Sequence, residues 1–152
     1  MTTIVTAALG AELLTPADFD RLRELLDAER LPAEDIREPD VRLFAFRDRG
    51  AAIGYAGLEI YGADALLRSV VVDPTRRRAG LGRAIVEATL AEARRLGATR
   101  AFLLTTTAMD FFARLGFAIV ERAAAPAAIL ATRQAAGLCP SSAPLMAKAI
   151  DD

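Results

Sequence analysis

Apolar positions along this chain recur with two periods. In "TPADFDRLRELLDAER" (15–30), Phe19, Leu22 and Leu26 fall on one stripe, the spacing of an amphipathic helix. Thr15 suits its cap, Pro16 its first turn and Asp18 the position three residues after the cap. Upstream, "TIVTAAL" (3–9) is rich in β-branched residues and predicts a first strand. Downstream, "PAEDIRE" (32–38) predicts a second short helix that ends before Pro39. The pattern then turns to strands: "VRLFAFRD" (41–48), a turn at Arg49-Gly50, "AAIGYAGLEIY" (51–61), a turn over 62–65 and "LLRSVVV" (66–72). This predicts an antiparallel meander in which Tyr61 pairs with Leu66.

After a loop at 73–82, "RAIVEATLAEARRLGA" (83–98) reads as a long helix. Val86, Leu90, Ala93 and Leu96 face inward, and Gly97 ends it. A buried strand (100–107), a short helix (109–117) and a strand (118–123) follow. Then come a helix from Pro126 to Gly137, a loop (138–144) and a last strand (145–150). The fold class is α/β, with a mixed, mainly antiparallel sheet flanked by helices.

Composition narrows what such a fold can do. The chain has 152 residues, 53% of them hydrophobic, enough for one domain with a sizeable core. Nineteen basic residues against 20 acidic ones argue against a globally basic nucleic-acid binder. The lone Cys139 forms no internal disulfide, which suits a reducing compartment. There is no histidine, which excludes a Ser-His-Asp triad and leaves a poor ligand set for zinc. No metal site is expected. No apolar run reaches membrane-span length, and "MTTIVTAALG" lacks the build of a signal peptide. The expectation is a cytoplasmic protein that engages neither membrane nor nucleic acid.

The candidate chemistry centres on "RRRAGLGR" (76–83), between a strand and a helix. Unpartnered N–H groups in a helix's first turn, its dipole, and glycines that admit close approach together favour an anion. A nucleoside-triphosphate loop needs Lys then Ser or Thr after its second glycine, whereas Arg83-Ala84 follow Gly82. The dinucleotide fingerprint needs three spaced glycines, and only Gly80 and Gly82 are present. A solvated basic turn remains the plain alternative. A nucleic-acid patch lacks the aromatics that normally accompany it.

The surroundings decide between these. "SVVVDPTRRRAGLGRAIV" resembles the central motif of the GNAT superfamily of acyl-CoA-dependent N-acyltransferases: Arg77-Arg78-Ala79-Gly80-Leu81-Gly82 after Val72-Asp73-Pro74. "AMDFFARLGF" (108–117) is similar to the family's second signature. "YGADALLRSVVV", "LLTTTAMDFFARLGF" and "LCPSSA" resemble a narrower group, GNAT proteins associated with bacterial arsenic-resistance operons. The resemblance implies one GNAT domain over 1–152, with a helix-loop insertion at about 123–144. It also implies a sheet splayed in the middle.

The resemblance further implies acetyl transfer from acetyl-coenzyme A to a primary amine of a small molecule. An amino acid or an amino-acid-like toxin would be such an acceptor. The pyrophosphate would sit on Arg77, Arg78, Ala79, Gly80, Leu81, Gly82 and Arg83. The backbone of Val70, Val71 and Val72, with Thr105, would hold the pantetheine arm. Arg68, Ser69, Thr106, Ser141 and Ser142 would contact the acceptor, and a homodimer stays open. Glu59, an acid in an apolar strand, is the candidate base. It equally suits a cross-strand ion pair with Arg68, whose fork of donors suits a carboxylate. Three positions depart from the family pattern. Arg78 stands where a glycine is frequent, and Ala79 where an arginine is. Phe112 replaces a tyrosine thought to protonate the leaving thiolate. Two function classes therefore remain: an enzyme, or a non-catalytic acyl-CoA-binding module.

Overall fold

The computed structural model describes residues 10–76, 80–139 and 142–150. Local turn chemistry builds the first half of its sheet. β1 (Ala11–Leu13), β2 (Arg42–Asp48), β3 (Ala51–Tyr61) and β4 (Asp64–Val72) pair antiparallel in that order. Arg49 and Gly50 both take positive φ (54° and 84°), the conformation that lets a two-residue turn match strand twist. Gly62, at φ 64°, does the same between β3 and β4. That turn is two residues shorter than the sequence suggests. Tyr61 therefore pairs with Asp64, not Leu66, and Glu59 stands opposite Leu66.

The chain then crosses over through α2 (Leu81–Arg95) to β5 (Arg100–Leu104), which runs parallel to β4. α3 (Met109–Arg114), β6 (Ala118–Val120), α4 (Ala127–Leu130) and β7 (Leu145–Ala149) follow. The strand order across the described sheet is β1-β2-β3-β4-β5-β7-β6. Alternation along β2 divides its side chains between two layers. Phe44 and Phe46 join Leu81, Ile85 and Leu90 of α2, while Leu43 and Ala45 join Leu22, Leu25 and Leu26 of α1 (Pro16–Ala28). The cap of α1 forms as its sequence suggests, with the Thr15 N–H (2.8 Å) and hydroxyl (2.9 Å) both donating to Asp18 Oδ2.

Two expected helices are corrected. Residues 32–38 form turns, because Ala33, Asp35 and Ile36 are all drawn into the interior (3%, 2% and 3% exposed). Residues 126–137 break into α4 and a π-helical turn, Gln134–Leu138. Thr132 makes the break: its hydroxyl donates to Ile129 O (2.7 Å) and accepts from the Ala135 N–H (3.2 Å). The expected strand at 3–9 lies outside the described residues.

β4 carries one extra residue against β3. Tyr55 faces Val71 and Gly57 faces Arg68, so Ser69 and Val70 share the place opposite Ala56. Ser69 takes φ 58° to make this bulge. β4 pairs with β5 only over Asp64–Leu66, and past that point the two strands diverge.

Gly54 of β3 lets α2 sit against the sheet. A Cβ there would stand 2.5 Å from Ile85 Cδ1 and 2.7 Å from the Val71 carbonyl oxygen. Gly54→Ala should cost about 1–3 kcal/mol, read by denaturant unfolding. Asp73, just past β4, holds the start of the loop. It accepts from the Thr75 N–H (2.9 Å) and hydroxyl (2.7 Å) and from Arg21 Nη2 of α1 (3.0 Å). Burial alone would raise its pKa, but Thr75 and Arg21 outweigh that and lower it from 3.8 to about 2. A lowered carboxyl pKa stabilises the fold above the ordinary value and ceases to as pH falls through the folded one. Asp73→Asn should therefore melt below wild type at neutral pH, with the gap closing between about pH 4 and pH 2. A gap independent of pH would rule out this role.

Candidate functional site

The divergence of β4 from β5 opens two connected hollows. A groove of about 650 Å³ runs along Val70, Val71 and Val72 to Gly82 at the start of α2, with Phe111 on its other side. A smaller cleft, about 130 Å³, enters between Leu67–Val70 of β4 and Leu103–Thr105. Leu31, Pro32 and Cys139 close it from outside the sheet. Glu29, Val70, Ala108 and Phe112 line both hollows and so mark where they meet. On the far side of Thr105, another depression is lined by Arg30, Leu31, Pro32, Glu34, Thr106 and Cys139, among others.

The groove ends at a helix start built for close approach. Gly80 takes φ 84° at the cap of α2, and the Ala84 N–H donates to its carbonyl (3.0 Å). The N–H groups of Leu81, Gly82 and Arg83 come before any partner four residues back can exist. A Cβ on Gly82 would stand 3.3 Å from the Phe111 ring, narrowing the groove. Arg83 lies exposed and meets Glu87 at 3.2 Å. Arg77, Arg78 and Ala79 lie outside the described residues.

Beneath the cleft is a buried ion cluster. The Arg68 side chain is fully buried. Its Nη1 donates to Asp35 Oδ2 (2.6 Å) and Glu59 Oε2 (2.8 Å), its Nη2 to Asp35 Oδ1, and its Nε to Ser69 Oγ (3.2 Å). Tyr61 donates its hydroxyl to the other oxygen of Glu59, at 2.5 Å. Burial alone would lower the Arg68 pKa, but the two carboxylates more than reverse this and raise it. Burial and Glu59 together push the Tyr61 phenol up. The Glu59–Arg68 contact was expected from a direct pairing. It forms diagonally instead, because both side chains are long enough to span the shift in register. Glu59 has both oxygens engaged and lines neither hollow.

The remaining candidates divide by position. Thr105 lines the cleft, and its Oγ1 accepts from the Ala108 N–H (3.0 Å), which starts α3. Ser69 lines the cleft beside Arg68. Ser142 is exposed and lines none of these hollows, and Ser141 lies outside the described residues. Phe112 packs edge-on against Phe111 and Phe117, with ring centroids 5.0 and 5.7 Å apart. The Cys139 thiol is pushed up by burial, which Arg68 and Arg122 offset only in part.

Glu29 and Asp35 were not singled out from the sequence. An arginine inside "LLRSVVV" does signal a need for carboxylates, and Glu59 answers it locally. Nothing in "PAEDIRE" marks which acid supplies the second.

Comparison with known proteins agrees with this geometry. The acetyltransferase (GNAT) family matches residues 9–117. The amino-acid acetyltransferase of Mycobacterium tuberculosis (strain ATCC 25618 / H37Rv) is 40% identical over 73 residues, which is 47% of this chain. The chain spans 41% of that relative's length. N-acetylglutamate synthase from Neisseria gonorrhoeae, solved with coenzyme A and N-acetyl-glutamate, superposes with a TM-score of 0.77 at 17% identity. That likeness covers 93% of this chain and 35% of the synthase. The ribosomal-protein-S18-alanine N-acetyltransferase from Escherichia coli gives a TM-score of 0.67 at 20% identity, with 95% of each chain covered. With the family's match running from ahead of β1 through α3, across the splayed strands and the glycine turn, the chain belongs to the GNAT acetyltransferase family.

Proposed function

We propose that this chain is an N-acetyltransferase that moves the acetyl group of acetyl-coenzyme A to a primary amine of a small molecule. One observation carries the reading: the path from the first turn of α2, along the unpaired edge of β4, through a shared junction into a second cleft. Such a path brings two substrates together end to end. The residues present fit coenzyme A. Gly82 leaves the helix start open, first-turn N–H groups suit a pyrophosphate, and β4 beyond Leu66 offers main-chain groups without a strand partner on the β5 side. Arg83 supplies positive charge there, and Arg77 and Arg78 precede it in the sequence. When bound, acetyl-coenzyme A supplies the activated acyl group. The relatives named above, two of them acting on amino acids by name, support an amino acid among the acceptors. The resemblance to arsenic-linked GNAT proteins adds amino-acid-like toxins to the panel worth testing.

On this reading the chain's residues do three things. Val70–Val72 and Thr105 orient the arm through the splay. Leu31, Pro32, Ser69 and Thr106 bound the acceptor side. A carboxylate takes the proton of the amine. Of the two candidates, Glu29 lines both hollows at their junction, whereas Glu59 lines neither. That position is what supports Glu29 as the base. Residues 1–152 are read as one domain, with 123–144 as its insertion, in a cytoplasmic protein. No helix among the described residues is long and apolar enough to cross a membrane. Whether two copies pair is a question for sedimentation.

The second reading, an acyl-CoA-binding module without turnover, draws on Phe112, which offers no hydroxyl to the junction. Incubation with acetyl-CoA and a panel of amines, followed as free thiol, separates the two. Binding without thiol release on any amine would favour the module. Gly82→Glu places bulk and negative charge on the groove, so acetyl-CoA affinity should collapse in calorimetry with the circular-dichroism spectrum unchanged. Glu29→Gln should cut turnover by about 10²–10⁴, the ordinary range for a lost general base. Near-normal rates for Glu29→Gln would return Glu59 to first place.

A further inference from the structure

The buried cluster under the cleft joins the segment after α1 to β3 and β4. Between α1 and β2 the backbone holds no regular element, only turns such as Glu38 N–H to Asp35 O (3.0 Å). Arg30 opens this segment at φ 59°, a left-handed conformation costly for a side chain of that size. Leu31 and Pro32 then line the cleft and the depression beside it. Ala33 and Ile36 pack into the α1 layer, and between them Asp35 reaches inward to grip both ends of the Arg68 guanidinium. Arg68 lies on a sheet strand and lines the cleft itself, so the grip fixes an irregular wall to a regular floor.

We propose that Asp35 is a positioning residue for the acceptor: its two-pronged hold on Arg68 sets the place of Leu31 and Pro32, and with it which amines enter the cleft. The identity of the acceptor as an amine rests on the acetyltransferase reading. The clamp does not.

The charges make Asp35 the member of the cluster that can be changed without losing the fold. Arg68 faces Asp35 and Glu59, with Ser69 on its Nε and Tyr61 behind Glu59. Removing Arg68 would leave two carboxylates buried side by side. Neutralising Asp35 leaves a one-to-one Arg68–Glu59 pair that remains balanced, and Asn keeps one acceptor for the guanidinium. The loss then falls on the wall rather than on the sheet.

The test compares wild type with Asp35→Asn, using Leu90→Ala of α2 as a destabilised control remote from the cleft. Cys139 is the chain's sole cysteine and lines the cleft and the depression beside it, next to Leu31 and Pro32. In the absence of coenzyme A, its labelling by an aromatic disulfide should quicken about tenfold or more in Asp35→Asn, as local opening of the wall requires. In Leu90→Ala it should stay near the wild-type rate. For amines that the wild type acetylates, KM should rise about tenfold, with kcat and acetyl-CoA affinity nearly unchanged, the signature of lost acceptor binding alone. Unchanged labelling in Asp35→Asn, or labelling that follows stability equally in both variants, would overturn the clamp. So would amine KM and acetyl-CoA affinity moving together. Should wild type neither bind acetyl-CoA nor release its thiol, the acetyltransferase reading falls, and the labelling rates still decide the clamp.

Discussion

A guanidinium wholly withdrawn from water must have its charge answered by the protein around it, and Arg68 meets this demand from three directions. Glu59 comes from the neighbouring strand, Asp35 from the segment after α1, and Ser69 from the next residue along. Each is thereby fixed to the others. The hairpin register, the bulge and the irregular wall are three features of the backbone with one electrostatic reason to coincide. A well-packed apolar residue at 68 would suit the sheet, but it would give the segment at 31–38 no polar reason to lie where it does.

The bulge at Ser69 turns that fixed point into an opening. An extra residue in β4 increases the local twist beyond Leu66, where the ladder with β5 has already ended, and main-chain groups that would bond another strand there border the groove. Glycine does the complementary work on the opposite bank. Gly54 lets α2 approach the sheet closely enough that its first turn lies alongside Val72, and Gly82 keeps that turn from filling the space. The groove is thus bounded by β4 and the first turn of α2 on one side and by the Phe111 ring on the other, a long opening that suits an extended ligand better than a compact one.

The helices α1 and α2 were legible in the chain because their signals are local: a cap, a period, a terminating glycine. The meander was legible for the same reason, and the glycine loop with its second signature carried the family. What stayed hidden was tertiary. No propensity places a serine at positive φ, so the bulge at Ser69 left no mark in "LLRSVVV". The sequence suggests a longer turn at Gly62 than the two residues found, yet Glu59 and Arg68 still meet, since their reach exceeds the shift in register. Residues 32–38 have the composition of a helix and lose it to Asp35, whose partner lies on a distant strand. At 126–137 one threonine hydroxyl, bonding backward and forward, divides a run that its alanines would otherwise keep whole.

The two tight turns at Arg49-Gly50 and Gly62-Ala63 have a consequence for how the molecule assembles. They join β2, β3 and β4 through contacts between residues close in sequence, which a folding chain closes at the least entropic cost. Arg68 and Glu59 belong to that early hairpin and can meet within it. The opposite wall arrives from β5, from α3 and from the segment around Cys139, all placed by long-range closure. One bank of the cleft is therefore a local product of the chain, and the other depends on the last contacts to form. Slowing those contacts would delay the site without delaying the β2–β3–β4 meander that carries Arg68.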